Sequence, residues 1–325
     1  MRHFVCLLLV AVGVALAADS ADSLRPGRFL ILSVPQALSA QLLECPNHAF
    51  GGMQDGINEI AQRKAGLPHG AISFVQFCIT DQVEAITRCA PLLDMAAVNP
   101  YVSLSEDGPS PDTAIWPECN HPMLNRLRQL RTAAGEVPLL ARIGIGGVES
   151  SYLTKREPTF EELEWMVMAA VGAGFRGIVW VGEFDTGGRL RGLGSCLARF
   201  AEDLGKVKPV RWVAVPTVLP VSALATETKL AVVLLNPDYF QEMKTGQLQK
   251  LPLDPRLQKG VLTLRLPDRI TMEAGLTLHG RPVAPQRQPD GTYSLPYQLA
   301  GGGTVLFLDL VQQGTRGVEG GRKTP

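Results

Sequence analysis

No sign of charge prevails in this sequence: 31 Lys and Arg balance 31 Asp and Glu. Residues 1–17 contain one of those cations (Arg2) and no acid, so without them the balance is 31 − 1 = 30 against 31. A chain this evenly charged has no electrostatic footprint for nucleic acid or for an anionic membrane, and neither is an expected partner. Aromatic residues make up 6% of the chain, too few to pave a long sugar-binding cleft with rings. There is no C-x-x-C and no pair of histidines at metal-ligand spacing, so zinc is not expected. The G-x-S-x-G turn of a serine hydrolase is missing as well. A glycine-rich run, Phe50-Gly51-Gly52-Met53-Gln54-Asp55-Gly56, does not closely follow a strand and so does not read as a phosphate loop. No cofactor and no metal is expected. Beyond residue 17 no apolar run is long enough to span a bilayer, and no internal repeat is visible.

What is present begins with a leader. Arg2 and His3 form a short polar start, an apolar run follows over 5–14, and Ala15-Leu16-Ala17 fits an A-x-A cleavage site. Residues 1–17 therefore read as a signal peptide, and the protein is expected to be exported, as a secreted or periplasmic protein, and soluble. Of the six cysteines, Cys6 falls in the leader. Cys45, Cys78, Cys89, Cys119 and Cys196 remain, an odd number that leaves at least one thiol free. Cys78 and Cys89 sit in apolar surroundings and read as core residues. The five histidines are scattered, and none is expected in a metal or triad constellation.

The remaining roughly 300 residues exceed one usual compact domain, which makes two domains the starting expectation. Over 24–208 strands alternate with helices. Apolar runs at 29–34, 71–78, 95–102, 137–145 and 177–181 read as strands. Helices are expected through Ile57, Ile60 and Ala61, over 82–90, over 123–134, from Thr159 onward, and through Leu193, Leu197, Phe200 and Leu204. Thr159 and Glu162 have capping-box spacing behind Pro158, and Gly172 and Gly174 are expected to stop that helix. Serial βα units imply an α/β fold with a parallel sheet and right-handed crossovers, and five such units can be counted. An open five-stranded edge invites pairing, so a homo-oligomer, or cover from the second domain, is expected.

Past Lys208-Pro209 the pattern changes. Runs at 210–215, 230–235, 261–266, 270–278 and 304–310 are separated by turn signals, among them Asn236-Pro237-Asp238, His279-Gly280 and Pro289-Asp290-Gly291. With no helix between them, residues 210–311 read as an antiparallel β-sandwich. The polar, Gly-rich segment 312–325 reads as a disordered tail.

Three stretches together resemble a known family. They are Val137-Pro138-Leu139-Leu140-Ala141-Arg142, then Glu157-Pro158-Thr159-Phe160-Glu161-Glu162-Leu163, then Gly172-Ala173-Gly174-Phe175-Arg176-Gly177-Ile178-Val179-Trp180. They resemble the last two βα units of TIM-barrel glycoside hydrolases of the β-galactosidase-like clan. The final helix and the strand Leu230-Ala231-Val232-Val233-Leu234-Leu235-Asn236-Pro237 resemble the end of that barrel and its small β-sandwich. The resemblance covers about half the chain. It implies a TIM-barrel-like domain, incomplete at about five βα units, followed by a β-sandwich, and it implies a carbohydrate partner. In that clan an Asn-Glu pair ends the fourth strand and a Glu ends the seventh. Here the one Asn-Glu, Asn58-Glu59, falls inside a helical stretch, and Glu149 lies in the loop after Ile143-Gly144-Ile145-Gly146-Gly147.

Acidic groups at the carboxyl ends of parallel strands are the places to look for chemistry. Glu183, with Asp185 beside it, follows the strand at 177–181, and Glu149 follows the strand before it. Glycoside hydrolysis needs one protonated and one ionised carboxyl flanking the bond, so Glu183 and Glu149 are the candidate catalytic pair. The plain alternative is a solvated turn at Asp185-Thr186-Gly187-Gly188. Gln76, Asn99 and Tyr101 also fall near strand ends and offer amide and phenol groups to sugar hydroxyls; equally, they serve to end strands and satisfy backbone groups. Arg142 interrupts an apolar strand and is expected to pair with a carboxylate, orienting an acid or holding the core. Trp116 in a loop stacks on a sugar ring or plugs the mouth, and Trp180 completes the candidate binding set. Trp165, on a helix, is expected to pack. Two functions follow. One is an exported glycoside hydrolase-like protein using carboxylate acid/base catalysis. The other is a non-catalytic carbohydrate-binding or structural protein derived from the same barrel.

Overall fold

The computed structural model describes residues 27–33, 42–44, 53–68, 72–77, 83–98, 121–144, 160–181, 189–214, 219–236, 241–242, 248–249, 259–299 and 302–313. The leader, the capping Thr159 and the 314–325 tail lie outside them. The first half alternates β1 (Leu30–Ser33), β2 (Leu42–Glu44), α1 (Met53–Ala65), β3 (Phe74–Phe77), α2 (Val83–Cys89), β4 (Met95–Val98), α3 (His121–Ala133), β5 (Leu139–Gly144), α4 (Phe160–Ala173), β6 (Gly177–Val181) and α5 (Arg189–Lys206). Six strands form one parallel sheet in the order β1-β6-β5-β4-β3-β2. This corrects the count of five: Leu42–Glu44, for which no element is expected from sequence, is held as a strand by its ladder to β3. From β2 to β6 each strand lies beside its successor, and β1 returns to pair with β6.

Strand alternation sorts the sheet into two faces. Val75, Phe77, Ala96, Val98, Leu139, Ala141, Ile143, Ile178 and Trp180 share a core with the helices. Leu30, Leu32, Phe74, Met95, Ala97, Leu140 and Val179 make a separate cluster on the opposite face. All seven are buried there.

The second half is antiparallel: β7 (Lys208–Pro209), β8 (Val221–Ala225), β9 (Lys229–Leu235), β10 (Gln241–Glu242), β11 (Leu248–Gln249), β12 (Lys259–Leu264), β13 (Ile270–Thr277), β14 (Pro282–Val283), β15 (Gln286–Arg287), β16 (Tyr293–Gln298) and β17 (Gly303–Gln312). The expected strand at 210–215 is displaced to Lys208–Pro209, with Ala214 making an isolated bridge to Arg265. A six-stranded sheet runs β14-β13-β17-β9-β8-β7 and a three-stranded one runs β12-β16-β15. They share a core in which Leu230, Val232, Leu234, Leu306 and Leu308 meet Leu262, Leu264, Tyr293 and Leu295. The other face of the larger sheet, with Ala231, Val233, Leu235, Val305 and Phe307, joins the core of the first half.

α4 is the reason the halves fuse. Its residues Trp165 to Val171 are all buried, since it packs on α3 and β5 on one side and on β8, β9 and β17 on the other. A helix apolar on every side needs cover on every side. The Trp165 indole N–H donates to the Asn236 carbonyl at 3.3 Å across this junction, which gives the expected packing role a polar anchor. Gly174 ends the helix as expected. Its φ is +89°, its N–H reaches Val171 O at 2.8 Å, and Phe175 N–H reaches Ala170 O at 3.0 Å, a Schellman closure. Gly172 does something else. It stays inside α4, where a Cβ would meet Ser222 Oγ at 3.2 Å and Val233 at 3.3 Å, so its role is close approach to the sheet.

Candidate functional site

Six parallel strands bring their carboxyl ends to one edge, and the segments after them are 34–41, 45–52, 78–82, 99–120, 145–159 and 182–188. Those segments lie outside the described residues. With them go Glu149, Glu183, Asp185, Asn99, Tyr101 and Trp116. Three of the candidate residues remain to be placed.

Gln76 shares its face with Phe74, two residues earlier, and Arg142 shares its face with Leu140. The ladders set Gln76 beside Ala97 and Ala97 beside Leu140, two strand spacings away. Arg142 pairs with Val179, one layer nearer the carboxyl edge. Both side chains are half-buried, and Glu44 of β2, the ladder partner of Gln76, shares their face. Among the described residues no carboxylate pairs with Arg142. Trp180 goes the other way. It pairs with Ile143, belongs to the helix-facing core and is 2% exposed. Its indole packs in that core, on the other side of the sheet from Gln76 and Arg142.

At the opposite, amino-terminal edge lies a groove of about 580 Å³ lined by Arg128, Arg131, Arg176, Lys208 and Arg211, with Glu136 as its carboxylate. Three of the arginines are held by bonds within the protein. Arg131 donates to Val137 O at 2.6 Å and to Gly135 O, Arg176 donates to Gly205 O, and Arg128 donates to Ser222 Oγ at 2.5 Å. Burial pulls the Arg131 guanidinium down to about 10, with repulsion from Arg176 adding to it and Glu136 opposing it. These contacts stitch α3 and the β6 entry to β8 and the end of α5.

A third cluster was not foreseen. Glu164 on α4 is 5% exposed, the one buried carboxylate among the described residues. Its Oε1 lies at hydrogen-bond distance, 2.5 Å, from His279 Nε2, and the other ring nitrogen, Nδ1, lies 3.7 Å from Cys196 Sγ on α5. Burial pushes the Glu164 carboxyl up, His279 beside it pulls it back, and Glu161 adds to the rise; the net direction is upward. The expectation that no histidine joins a triad-like constellation is therefore corrected. The His279-Gly280 pair is a turn, as its sequence suggested, with Gly280 at φ +78°. Sequence separations of 83 and 115 residues concealed the rest. Cys89, by contrast, is buried in the core as expected, outside any disulfide, and no group suited to a metal ion occurs among the described residues.

No protein-family model matches the chain, and no curated protein matches it. Among solved structures it is similar to one described as a glycoside hydrolase, at 11% identity over 77% of this chain and 60% of that one, with a TM-score of 0.43. It is similar to a family 5 glycoside hydrolase from Bacteroides vulgatus at 8% identity, over 79% of this chain and 67% of that one, with a TM-score of 0.41. A bacterial fucosidase solved with an inhibitor is similar at 11% identity, over 79% and 70%, with a TM-score of 0.27. The chain thus spans 60% of the length of the first of these structures. TM-scores of 0.43 and below do not fix a shared fold, and the functional reading rests on the chain's own geometry.

Proposed function

We propose that the first half is a (β/α) barrel derived from a glycosidase, with its seam between β1 and β2, and that it acts on a carbohydrate at the carboxyl edge of its strands. The observation that carries this reading is the face shared by Gln76 and Arg142. It is buried at Leu30, Leu32, Phe74, Met95, Ala97, Leu140 and Val179, yet the buried residues of all five helices belong to the opposite core. A sheet that curls on itself covers such a face without helices. The strand succession, with β1 beside β6, supports this reading, since a barrel opened at one seam has that order.

In this reading Gln76 offers an amide and Arg142 a guanidinium to hydroxyl or carboxylate oxygens in the barrel mouth. Glu149 and Glu183 follow the neighbouring strands β5 and β6, so their loops start side by side. One supplies the proton to the leaving oxygen, and the other activates water or attacks the anomeric carbon; Asp185 shapes the charge around Glu183. Export, through the leader at 1–17, belongs to the same proposal.

The test is turnover of a panel of aryl glycosides by the purified chain. Hydrolysis that falls by about 10³-fold or more in both Glu183→Gln and Glu149→Gln supports the enzyme. No hydrolysis, together with saccharide-dependent quenching of tryptophan fluorescence that vanishes in Trp116→Ala, selects the non-catalytic carbohydrate-binding reading. Neither turnover nor quenching refutes both.

A further inference from the structure

Cys196, His279 and Glu164 come from α5, from the turn between β13 and β14, and from α4, so the fold itself assembles them. The chain of contacts is directional. An ionised Glu164 only accepts, so with its oxygen 2.5 Å from His279 Nε2 the tautomer that bonds it carries the ring proton on Nε2. That leaves the Nδ1 lone pair facing Cys196 Sγ at 3.7 Å. The turn is pinned on both sides: Arg199, one helical turn beyond Cys196, donates to Leu278 O at 2.8 Å, and Leu278 N–H reaches Val305 O at 2.9 Å. Access differs sharply along the triad. The His279 side chain is 45% exposed and that of Glu164 6%. Cys196 is half-buried and free, so its sulfur lies at the rim with the base beside it and the acid sealed beneath.

A nucleophile, a base within reach of it, and a third group orienting the base are the parts of an activated thiol. We propose that Cys196 is a thiol-exchange site for small disulfides of low molecular weight, with His279 as its base and Glu164 as the positioning residue. Sulfur attacks one sulfur of R–S–S–R as its proton passes to His279 Nδ1. The Cys196–S–S–R bond forms and the S–S bond of the reagent breaks. The departing R–S⁻ then takes the proton from His279 and leaves as R–SH. Cys196 is oxidised to a mixed disulfide and the reagent is reduced to one thiol, so no other oxidant is required. A small disulfide fits because the sulfur is reached from solvent at the rim of the junction. This inference is independent of the carbohydrate reading.

The probe is dithiobis-nitrobenzoate acting on the folded full chain at neutral pH, with the modified cysteine mapped by peptide mass. Cys196 is expected to react, at a rate that falls roughly tenfold or more in His279→Ala and is restored by added imidazole. Buried Cys89 serves as an unreactive internal reference. Should His279→Ala fail to fold, His279→Gln keeps a donor toward Glu164 while offering sulfur no base, and the same loss is expected. Glu164→Gln, whose amide oxygen still accepts from Nε2, is expected to retain more of the rate than Glu164→Leu. Modification of Cys196 at equal rates with and without His279, absence of modification, or failure of imidazole to restore the rate overturns the proposal. A reversed order of the two Glu164 variants overturns the positioning role.

Discussion

At the scale of single residues, polar groups matter where they join elements that the apolar pattern alone would leave loosely set. Asp94 is an instance. Its Oδ2 accepts from Ser73 N–H at 2.8 Å and from Ser73 Oγ at 2.7 Å, while Asp94 N–H donates to Ser73 Oγ at 2.9 Å. These bonds lock the entry of β4 to that of β3. Burial raises the Asp94 carboxyl, but the Ser73 bonds and Lys64 outweigh it and hold it below the ordinary value. A carboxylate depressed on folding stabilises above its unfolded pKa, and that contribution is lost as pH falls through the folded one. Because the side chain is half-exposed, screening limits the effect. Asp94→Asn is therefore expected to lose about 1 kcal/mol in urea unfolding near pH 7, with the difference from wild type shrinking toward about pH 3. An unchanged difference across that range would remove the electrostatic account.

Single residues also show what sequence reading reaches. Cys89, Trp165 and Gly174 were legible, because apolar context, helical position and a helix stop are local properties. Trp180 was not: which face of β6 it takes depends on pairing Ile143 with Trp180 rather than Arg142. Nor was Gly172, whose neighbours Ser222 and Val233 lie far along the chain.

Among elements, β1 and β6 make the pairing that sets the first parallel strand beside the last. Gly177 sits directly beside Leu30 in that ladder, and a Cβ there would fall on the Leu30 carbonyl oxygen. Backbone cannot yield as a side-chain tip does. Gly177→Ala is expected to cost about 1–3 kcal/mol. The control is Gly192 on α5, where nothing lies within 4 Å of an added Cβ. Gly192→Ala is expected to gain about 0.5–1 kcal/mol through helix propensity and a less flexible unfolded chain. Denaturant midpoints measure both, and a destabilised Gly192→Ala beside a neutral Gly177→Ala would invert the packing argument. The five longer parallel strands were legible as continuous apolar runs. β2 was not, since three residues, Leu42–Glu44, carry too little pattern to signal a strand.

On the scale of the molecule, composition suggested two domains, and the packing shows one core running through both halves. Phe200 on α5 stacks on Phe307 of β17 with ring centroids 3.9 Å apart, and α4 is enclosed between the parallel sheet and the larger antiparallel one. Calorimetry is accordingly expected to give a single unfolding transition, and Phe200→Ala is expected to lower it as a whole by about 3–5 kcal/mol. Two resolved transitions, with only one of them moved by the variant, would mean that the halves fold apart. The alternation of strands and helices before Lys208 and the strand-and-turn pattern after it made the order of elements largely readable, but not the sharing of a core, since contacts across 100 or more residues leave no local trace.

The carbohydrate reading is tested most directly by an experimental structure of the full chain that locates the carboxyl groups of Glu149 and Glu183. The account expects them about 5–9.5 Å apart over the barrel mouth, on the side where Gln76 and Arg142 point. A separation beyond about 12 Å, or Glu183 directed to open solvent away from that face, would contradict hydrolysis by this pair.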